Sequence, residues 1–349
     1  MHSTVTRQLS ILFRCDASPS VGLGHLVRCL ALADELREGH GAAVSFAMRP
    51  SVLAVELVTR RGYQIWQAAD GANLDQEAWL RDCILKSGAQ ILVVDVRDDL
   101  SKVTLQALAG EGTIIALLDD LSERRWAADL AFYPPVPQLD RVDWSGFRGR
   151  LCIGWEWIIL RKQFAEPVRV SNHSRRTLLV AMGGSDPAGL TLKAVRALDR
   201  LHGEFEPVII VGTGFCHRQA LQALLRKTSR RFTVREDVSE MSAAMSEAAL
   251  AICSFGMTAY ELAAMGVPSV YVCLTEDHAQ SASALVAAGV GISAGVDDEG
   301  TEARLVTAVV RLLDDGPLLK EMSSRSRLLI DGKGASRVAD LMVKTAFLE

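Results

Sequence analysis

No apolar run in this 349-residue chain is long enough to span a bilayer. The longest candidate, 248–274, is broken by Gly256, Glu261, Gly266 and Pro268, which excludes a membrane span. A basic tract is also missing. Lys and Arg number 38 against 42 Asp and Glu, the net charge is −4, and both signs are mixed along the chain. Nucleic-acid surfaces need clustered cations, so no nucleic-acid partner is expected. The seven cysteines are scattered, odd in number and form no Cys-x-x-Cys pair. Cys15, Cys83, Cys253 and Cys273 lie in or beside apolar runs and read as buried reduced thiols, which fits a reducing cytoplasm. His2, His40, His173, His202, His217 and His278 have no ligand spacing to one another or to cysteine, so neither a metal nor a cofactor is expected. Near the N-terminus, Arg7 is followed by an apolar run too brief for a secretory signal.

What is present is core. Hydrophobic residues make up 49% of the chain, and its length predicts two domains. In the first half, strands are predicted at 10–14, 43–47, 64–66, 91–95, 113–118 and 130–132. Helices are predicted between them at 26–38, 51–61, 75–86 and 101–110. Pro134, Pro135 and Pro137 interrupt the alternation, and a loop-like segment runs through Trp144, Gly146 and Gly149 to Gly154. The polar stretch 169–176 reads as a linker. Alternation then restarts, with strands at 177–182, 207–211, 232–235, 250–253 and 269–272. Helices are predicted at 191–202, 218–228, 241–248, 258–265 and 279–288, followed by a helical C-terminus. This predicts an α/β protein of two Rossmann-like doubly wound domains facing a central cleft. The expected units are 1–168, 177–335 and a closing helix 336–349, with a monomer as the expected state.

Four segments carry candidate chemistry. In the first, a strand, a Gly-rich loop and a helix start bring His25 to a helix mouth, behind Gly22-Leu23-Gly24. As a dinucleotide fingerprint this fails, because Val27 stands where the third glycine belongs. His25 is the candidate acid/base group, or else a helix-start residue bonded to a carbonyl. Asp16 and Ser18 could orient it or bind substrate hydroxyls, and Arg28 lies one turn into the helix. The second segment, Gly183-Gly184-Ser185-Asp186, follows a strand and suits a phosphate, or is a plain turn. In the third, Ser254-Phe255-Gly256-Met257-Thr258, a helix capped by Gly256 or Thr258 offers free N–H groups to a diphosphate. Glu261 could chelate a ribose diol or close a capping box on Thr258. The fourth, Thr275-Glu276-Asp277-His278-Ala279-Gln280, ends a strand; His278 is a second acid/base group or a surface residue. Asp95, Asp98, Asp99, Asp119 and Asp120 form acidic clusters at strand ends, suited to hydroxyls or a divalent ion, or simply solvated.

Together these residues carry a resemblance. The pattern Arg14-x-Asp16-x-Ser18-x-x-x-Gly22-x-Gly24-His25-x-x-Arg28-Cys29-Leu30 resembles that of the UDP-sugar hydrolases of pseudaminic acid biosynthesis and the related spore-coat polysaccharide proteins. Ordered matches continue in Asp119-Asp120-Leu121, Leu160-Arg161-x-x-Phe164, Gly183-Gly184-x-Asp186, Gly256-x-x-x-x-Glu261-Leu262, Gly266-x-Pro268 and Asp331-Gly332-x-Gly334-Ala335-x-Arg337-Val338. The resemblance implies a GT-B-like fold and hydrolysis of a UDP-linked diacetamido-trideoxyhexose to free sugar and UDP. It puts the catalytic histidine at His25. Substrate contacts are expected from Asp16, Ser18, Gly22, Gly24, Arg28, Asp95 and Arg161. Nucleotide contacts are expected from Gly183, Gly184, Ser185, Ser254, Gly256, Met257, Thr258, Glu261 and Gln280. The chain departs from these hydrolases at Asp95-Val96-Arg97-Asp98-Asp99, where they carry an Asp-His-Tyr type stretch, and at Trp157, where a tyrosine is usual. The Asn-Gln common near their last strands appears here as His278-Ala279-Gln280.

Either water or an acceptor hydroxyl could lose its proton to His25. Arg60-Arg61 and Arg124-Arg125 have no apolar run beside them that could not be core, so no acceptor groove is legible. The expectation is therefore a hydrolase, with an inverting glycosyltransferase as the alternative. A non-catalytic nucleotide-sugar binder would not need the histidine.

Overall fold

The computed structural model describes residues 8–17, 22–69, 74–165 and 177–347. The predicted linker and Ser18 lie outside the described residues. The first unit is built from β1 (Ser10–Cys15), β2 (Ala43–Met48), β3 (Gln64–Gln67), β4 (Ile91–Asp95), β5 (Ile114–Leu118), β6 (Leu130–Tyr133) and β7 (Arg150–Ile153). They form one parallel sheet in the order β3-β2-β1-β4-β5-β6-β7. Its helices are α1 (Gly24–His40), α2 (Val52–Arg60), α3 (Gln76–Ser87) and α4 (Lys102–Gly110). Three of these start one residue after a side-chain cap: Ser51, Asp75 and Ser101 accept the N–H groups of Ala54, Ala78 and Thr104.

The second unit repeats the plan. Its strands β8 (Thr177–Ala181), β9 (Glu206–Val211), β10 (Thr233–Glu236), β11 (Ala248–Ser254), β12 (Ser269–Cys273) and β13 (Gly291–Val296) order as β10-β9-β8-β11-β12-β13. Helices α5 (Leu190–Asp199), α6 (Arg218–Leu225), α7 (Met241–Ser246), α8 (Met257–Ala264) and α9 (Glu276–Ala287) connect them. Three more, α10 (Thr301–Leu313), α11 (Gly316–Leu329) and α12 (Gly334–Ala346), complete the chain. Both sheets reverse direction of winding beside their first strand, between β1 and β4 and between β8 and β11. Loops diverge there, so each unit has its crevice at that point.

Two strands were not legible in the sequence. The segment 150–153 reads as loop because glycines flank it at Gly149 and Gly154. It becomes an edge strand by pairing with β6, and a Cβ at Gly149 would lie 2.3 Å from the Ala128 carbonyl oxygen. The helical C-terminus expected after residue 288 begins instead with β13. Its Gly291-Ile-Ser-Ala-Gly-Val sequence has little intrinsic strand preference, and the pairing with β12 forms it.

The units are sewn together twice. Ile158 and Leu160 are buried in the core of the second sheet, while Ile159 between them is buried in the core of the first. This extended stretch uses its two-residue side-chain alternation to serve both cores. Phe164 also belongs to the second core. The chain then returns, and α12 lays Ala335, Val338, Ala339, Leu341 and Met342 into the first core, against α1. Gly334 makes the return possible, since a Cβ there would lie 2.0 Å from the Ile158 carbonyl oxygen.

All six tryptophans lie at or before residue 157, so their fluorescence reports the first unit. Met342 is fully buried, and Met342→Ala is expected to cost about 2–5 kcal/mol. The urea midpoint followed by tryptophan emission should fall with no change in slope. An unmoved tryptophan transition would mean that α12 is not part of that folding unit.

Candidate active site

His25 is the second residue of α1 and Asp95 the last of β4, so the two meet at the switch point of the first sheet. Nδ1 of His25 lies 2.6 Å from Oδ1 of Asp95. Arg28, one helical turn on, donates from Nε to Oδ2 at 2.5 Å and from Nη2 to Oδ1 at 2.6 Å. The side chain of Asp95 is 2% exposed. Burial by itself raises its pKa, but the charge of Arg28, then His25 and the hydrogen bonds from both, outweigh it and hold the carboxyl below the usual aspartate range. An ionised carboxylate only accepts, so Nδ1 of His25 is the donor in this contact. Position at a strand end had suggested that Asp95 meets substrate. Both of its oxygens are instead engaged within the protein, by His25 and Arg28.

Arg28 also reaches Asp119, with Nη1 3.3 Å from Oδ2. Its guanidinium is buried, which alone would lower its pKa, but the Asp95 charge dominates and raises it. Asp16 is likewise committed inside its unit: Oδ1 accepts the Arg49 N–H at 2.9 Å and lies 2.7 Å from Nη1 of buried Arg14. It ties the ends of β1 and β2 together. The glycine loop faces the other unit. The position of a Cβ on Gly24 is 3.6 Å from Met257 Cγ, and Leu23 Cδ1 comes within 3.0 Å of that position on Gly184. Gly22 takes φ 86° just before this contact.

Across the seam the two candidate anion sites differ. Gly183, Gly184 and Ser185 lead towards α5, but Asp186 accepts the N–H groups of Leu190 and Thr191, each at 2.8 Å. Its carboxylate already fills the α5 mouth; burial raises its pKa while these hydrogen bonds oppose the rise. The mouth of α8 has no such occupant. Its N-cap is Gly256, at φ 156° and ψ −155°, with no side-chain cap. That backbone region is accessible essentially to glycine alone. Met257 and Thr258 form the first turn behind it, and Ser254 ends the preceding strand, its Oγ 3.8 Å from where a Gly183 Cβ would be. The switch point of the second sheet therefore ends in one capped and one open helix.

Glu261 does not cap Thr258. Its Oε1 accepts from Arg161, 2.8 Å from Nη2 and 3.2 Å from Nε, across the seam. Burial raises its pKa and Arg161 counteracts. Arg161, expected to contact the sugar, and Glu261, expected to contact the nucleotide, thus pair with each other. Gln280 lies half-buried in the second turn of α9. His278 packs its ring 6.3 Å from Phe255, and its Nδ1 is buried without a hydrogen-bond partner. Burial lowers its pKa, with Asp277 opposing the fall and Arg97 adding to it.

Residues with no local signal complete the seam. Phe132, Trp157 and Tyr260 line a cavity between the units together with Arg28, Asp119 and Met257. Gln138 Nε2 donates to Asp277 Oδ1 at 2.9 Å and Ser281 Oγ at 2.7 Å, bridging to α9. Among the described residues no cluster of His, Cys, Asp and Glu could hold a metal ion, and no helix is long and apolar enough to cross a membrane.

Residues 177–342 match the Glycosyltransferase family 28 C-terminal domain. The spore coat polysaccharide biosynthesis protein SpsG of Bacillus subtilis is 26% identical over 197 residues, which is 55% of this chain and 58% of that relative. The chain thus spans little more than half the length of SpsG. The UDP-N-acetylglucosamine–N-acetylmuramyl-(pentapeptide) pyrophosphoryl-undecaprenol N-acetylglucosamine transferase of Acidithiobacillus ferrooxidans is 27% identical over 356 residues, covering 93% of this chain and 95% of the enzyme. Among solved structures, MurG of Acinetobacter baumannii has a TM-score of 0.70 at 20% identity, covering 96% of this chain and 99% of that one. The fold is GT-B, two Rossmann domains facing one cleft.

The Asp95 network has a pH signature. Its folded pKa lies below the unfolded value of about 3.9, so its stabilisation is complete well above that value and fades as pH falls through it. Asp95→Asn is expected to cost roughly 1–3 kcal/mol at pH 7, and the gap to wild type should narrow by about 1 kcal/mol at pH 3. Urea unfolding at both pH values checks this; a gap constant from pH 7 to 3 would contradict it.

Proposed function

We propose that the protein moves a sugar from a uridine-diphosphate donor to an acceptor hydroxyl with inversion at the anomeric carbon, in the making of a polysaccharide. The observation that carries the reading is the His25–Asp95 pair on one side of the seam with an open helix mouth at Gly256–Thr258 on the other. Nε2 of His25 takes the acceptor O–H proton as that oxygen bonds to the anomeric carbon. The bond from that carbon to the β-phosphate oxygen breaks, and its electron pair leaves with the diphosphate. The Met257 and Thr258 N–H groups and the Gly183-Gly184-Ser185 turn, with Ser254 beside it, hold the charge that develops. Glu261 exchanges Arg161 for the ribose hydroxyls, and Gln280 approaches the nucleotide from α9. Asp95 acts through His25, and Gly22 and Gly24 let the base loop meet the second domain. The uridine nucleotide, amino-sugar donor and polysaccharide context draw on the relatives, among them the spore-coat protein and the transferase with matching length.

A second reading has water as the acceptor. It is favoured by the Gly22-x-Gly24-His25-x-x-Arg28 pattern, which resembles the hydrolases, and by the small size of the cavity beside Arg28, lined by Phe132, Trp157, Met257 and Tyr260. One measurement separates the two. UDP-amino sugars are incubated with the protein, with and without candidate acceptors, and UDP release is followed by phosphorus NMR. Transfer leaves the donor intact until an acceptor is added; hydrolysis releases UDP and one sugar anomer at once. Donors stable under both conditions would sink both readings.

His25→Ala is expected to lower kcat by about 10²–10⁴-fold while UDP affinity stays within roughly threefold of wild type. A large loss of UDP binding would make His25 a nucleotide contact instead. Gly256→Ala should impose about 1–3 kcal/mol of backbone strain and weaken UDP binding measured by calorimetry. Unchanged affinity would move the diphosphate away from the α8 mouth.

A further inference from the structure

Arg97 has no place in the base network, yet it leaves the same strand end. It is two residues past Asp95, in the stretch where the sequence departs from the hydrolases it resembles. Its side chain is 49% exposed. Among the described residues its guanidinium makes one ion pair, Nη2 to Asp119 Oδ2 at 3.7 Å, too long for a hydrogen bond. Asp119 already serves Arg28, and it lines the interdomain cavity together with Met257, the first residue of α8. Arg97 therefore belongs to the first domain, and its ion-pair partner Asp119 lines the same cavity as Met257 at the start of α8 in the second. His278, packed on Phe255 just before α8, lies within reach of the Arg97 charge.

We propose that Arg97 is a cross-domain clamp for the nucleotide diphosphate: it releases Asp119 when a diphosphate occupies the Gly256–Thr258 mouth and pairs with the phosphate oxygens. This rests on the diphosphate reading above and adds a residue to it. The α8 mouth supplies only backbone donors and a partial positive charge, roughly half a unit. A departing UDP gains a full negative charge as the anomeric C–O bond breaks and its electrons pass to the β-phosphate oxygen. A guanidinium offers a planar fork matched to phosphate oxygens, and its pairing strengthens as that charge grows. Because the cation is on one domain and the helix mouth on the other, the contact also favours a closed cleft.

The test is isothermal titration calorimetry of UDP and of uridine with wild type, Arg97→Met and Arg97→Lys, together with turnover of the donor. Arg97 is half exposed, so both variants should fold, and circular dichroism checks this. Arg97→Met is expected to weaken UDP binding at least tenfold and change uridine binding less than twofold. The Lys variant should recover part of the loss, and kcat of the Met variant should fall at least tenfold. UDP affinity and kcat unchanged in Arg97→Met would overturn the clamp. So would an equal loss for UDP and uridine, which marks a structural role, or a Lys variant as weak as Met. If wild type itself binds UDP no better than uridine, the diphosphate reading fails first; if it discriminates and Arg97→Met still does, only the clamp fails.

Discussion

A single buried carboxylate organises the first domain's half of the site. Asp95 ends a central strand and accepts hydrogen bonds from two residues one turn apart on α1. Burying an ion without partners is costly, so the carboxylate stays charged only because Arg28 and His25 meet it. That same charge accepts from Nδ1 of His25 and locks the start of α1 to the switch point of the sheet. The start of α1, the His25 ring and the Arg28–Asp119 link that continues towards the seam are all tied to this one charge.

The second domain solves the opposite problem. Two of its helices start at the switch point, and each could have taken an anion. Asp186 spends its carboxylate on the first two N–H groups of α5, whereas Gly256 gives α8 no side chain at all. An internal anion and an external one compete for the same kind of site. Of the two helix mouths, the one at α8 is left without a side-chain cap. The open mouth also faces the domain that carries the His25–Asp95 pair, since Met257 meets Gly24 across the seam.

That facing depends on how the chain crosses. The Ile158–Leu160 stretch feeds alternate side chains to the two cores, and α12 returns past it with Gly334 against backbone. The crossing holds the domains in register, while Arg161–Glu261 and Gln138–Asp277 supply polar contacts across the seam. The seam thus has an apolar side at the crossing and a polar side at these pairs.

The sequence by itself determined the two α/β units and nearly all of their strands and helices, and it singled out the Gly-rich strand ends as candidate sites. It could do so because apolar periodicity and Gly-rich strand ends are local signals, set by backbone geometry within a few residues. His25, the Gly183-Gly184 turn and the Gly256 loop were legible for that reason. The edge strands at 150–153 and 291–296 were not, because pairing with a neighbour, rather than their own residues, makes them strands. Only tertiary structure decided that Asp95 turns inward to His25, that Asp186 blocks one helix mouth while the other stays open, and that Glu261 meets Arg161 instead of Thr258. Each of those outcomes is a choice of partner between groups 4 to 100 residues apart, fixed by which charges the packed sheets bring within hydrogen-bonding distance.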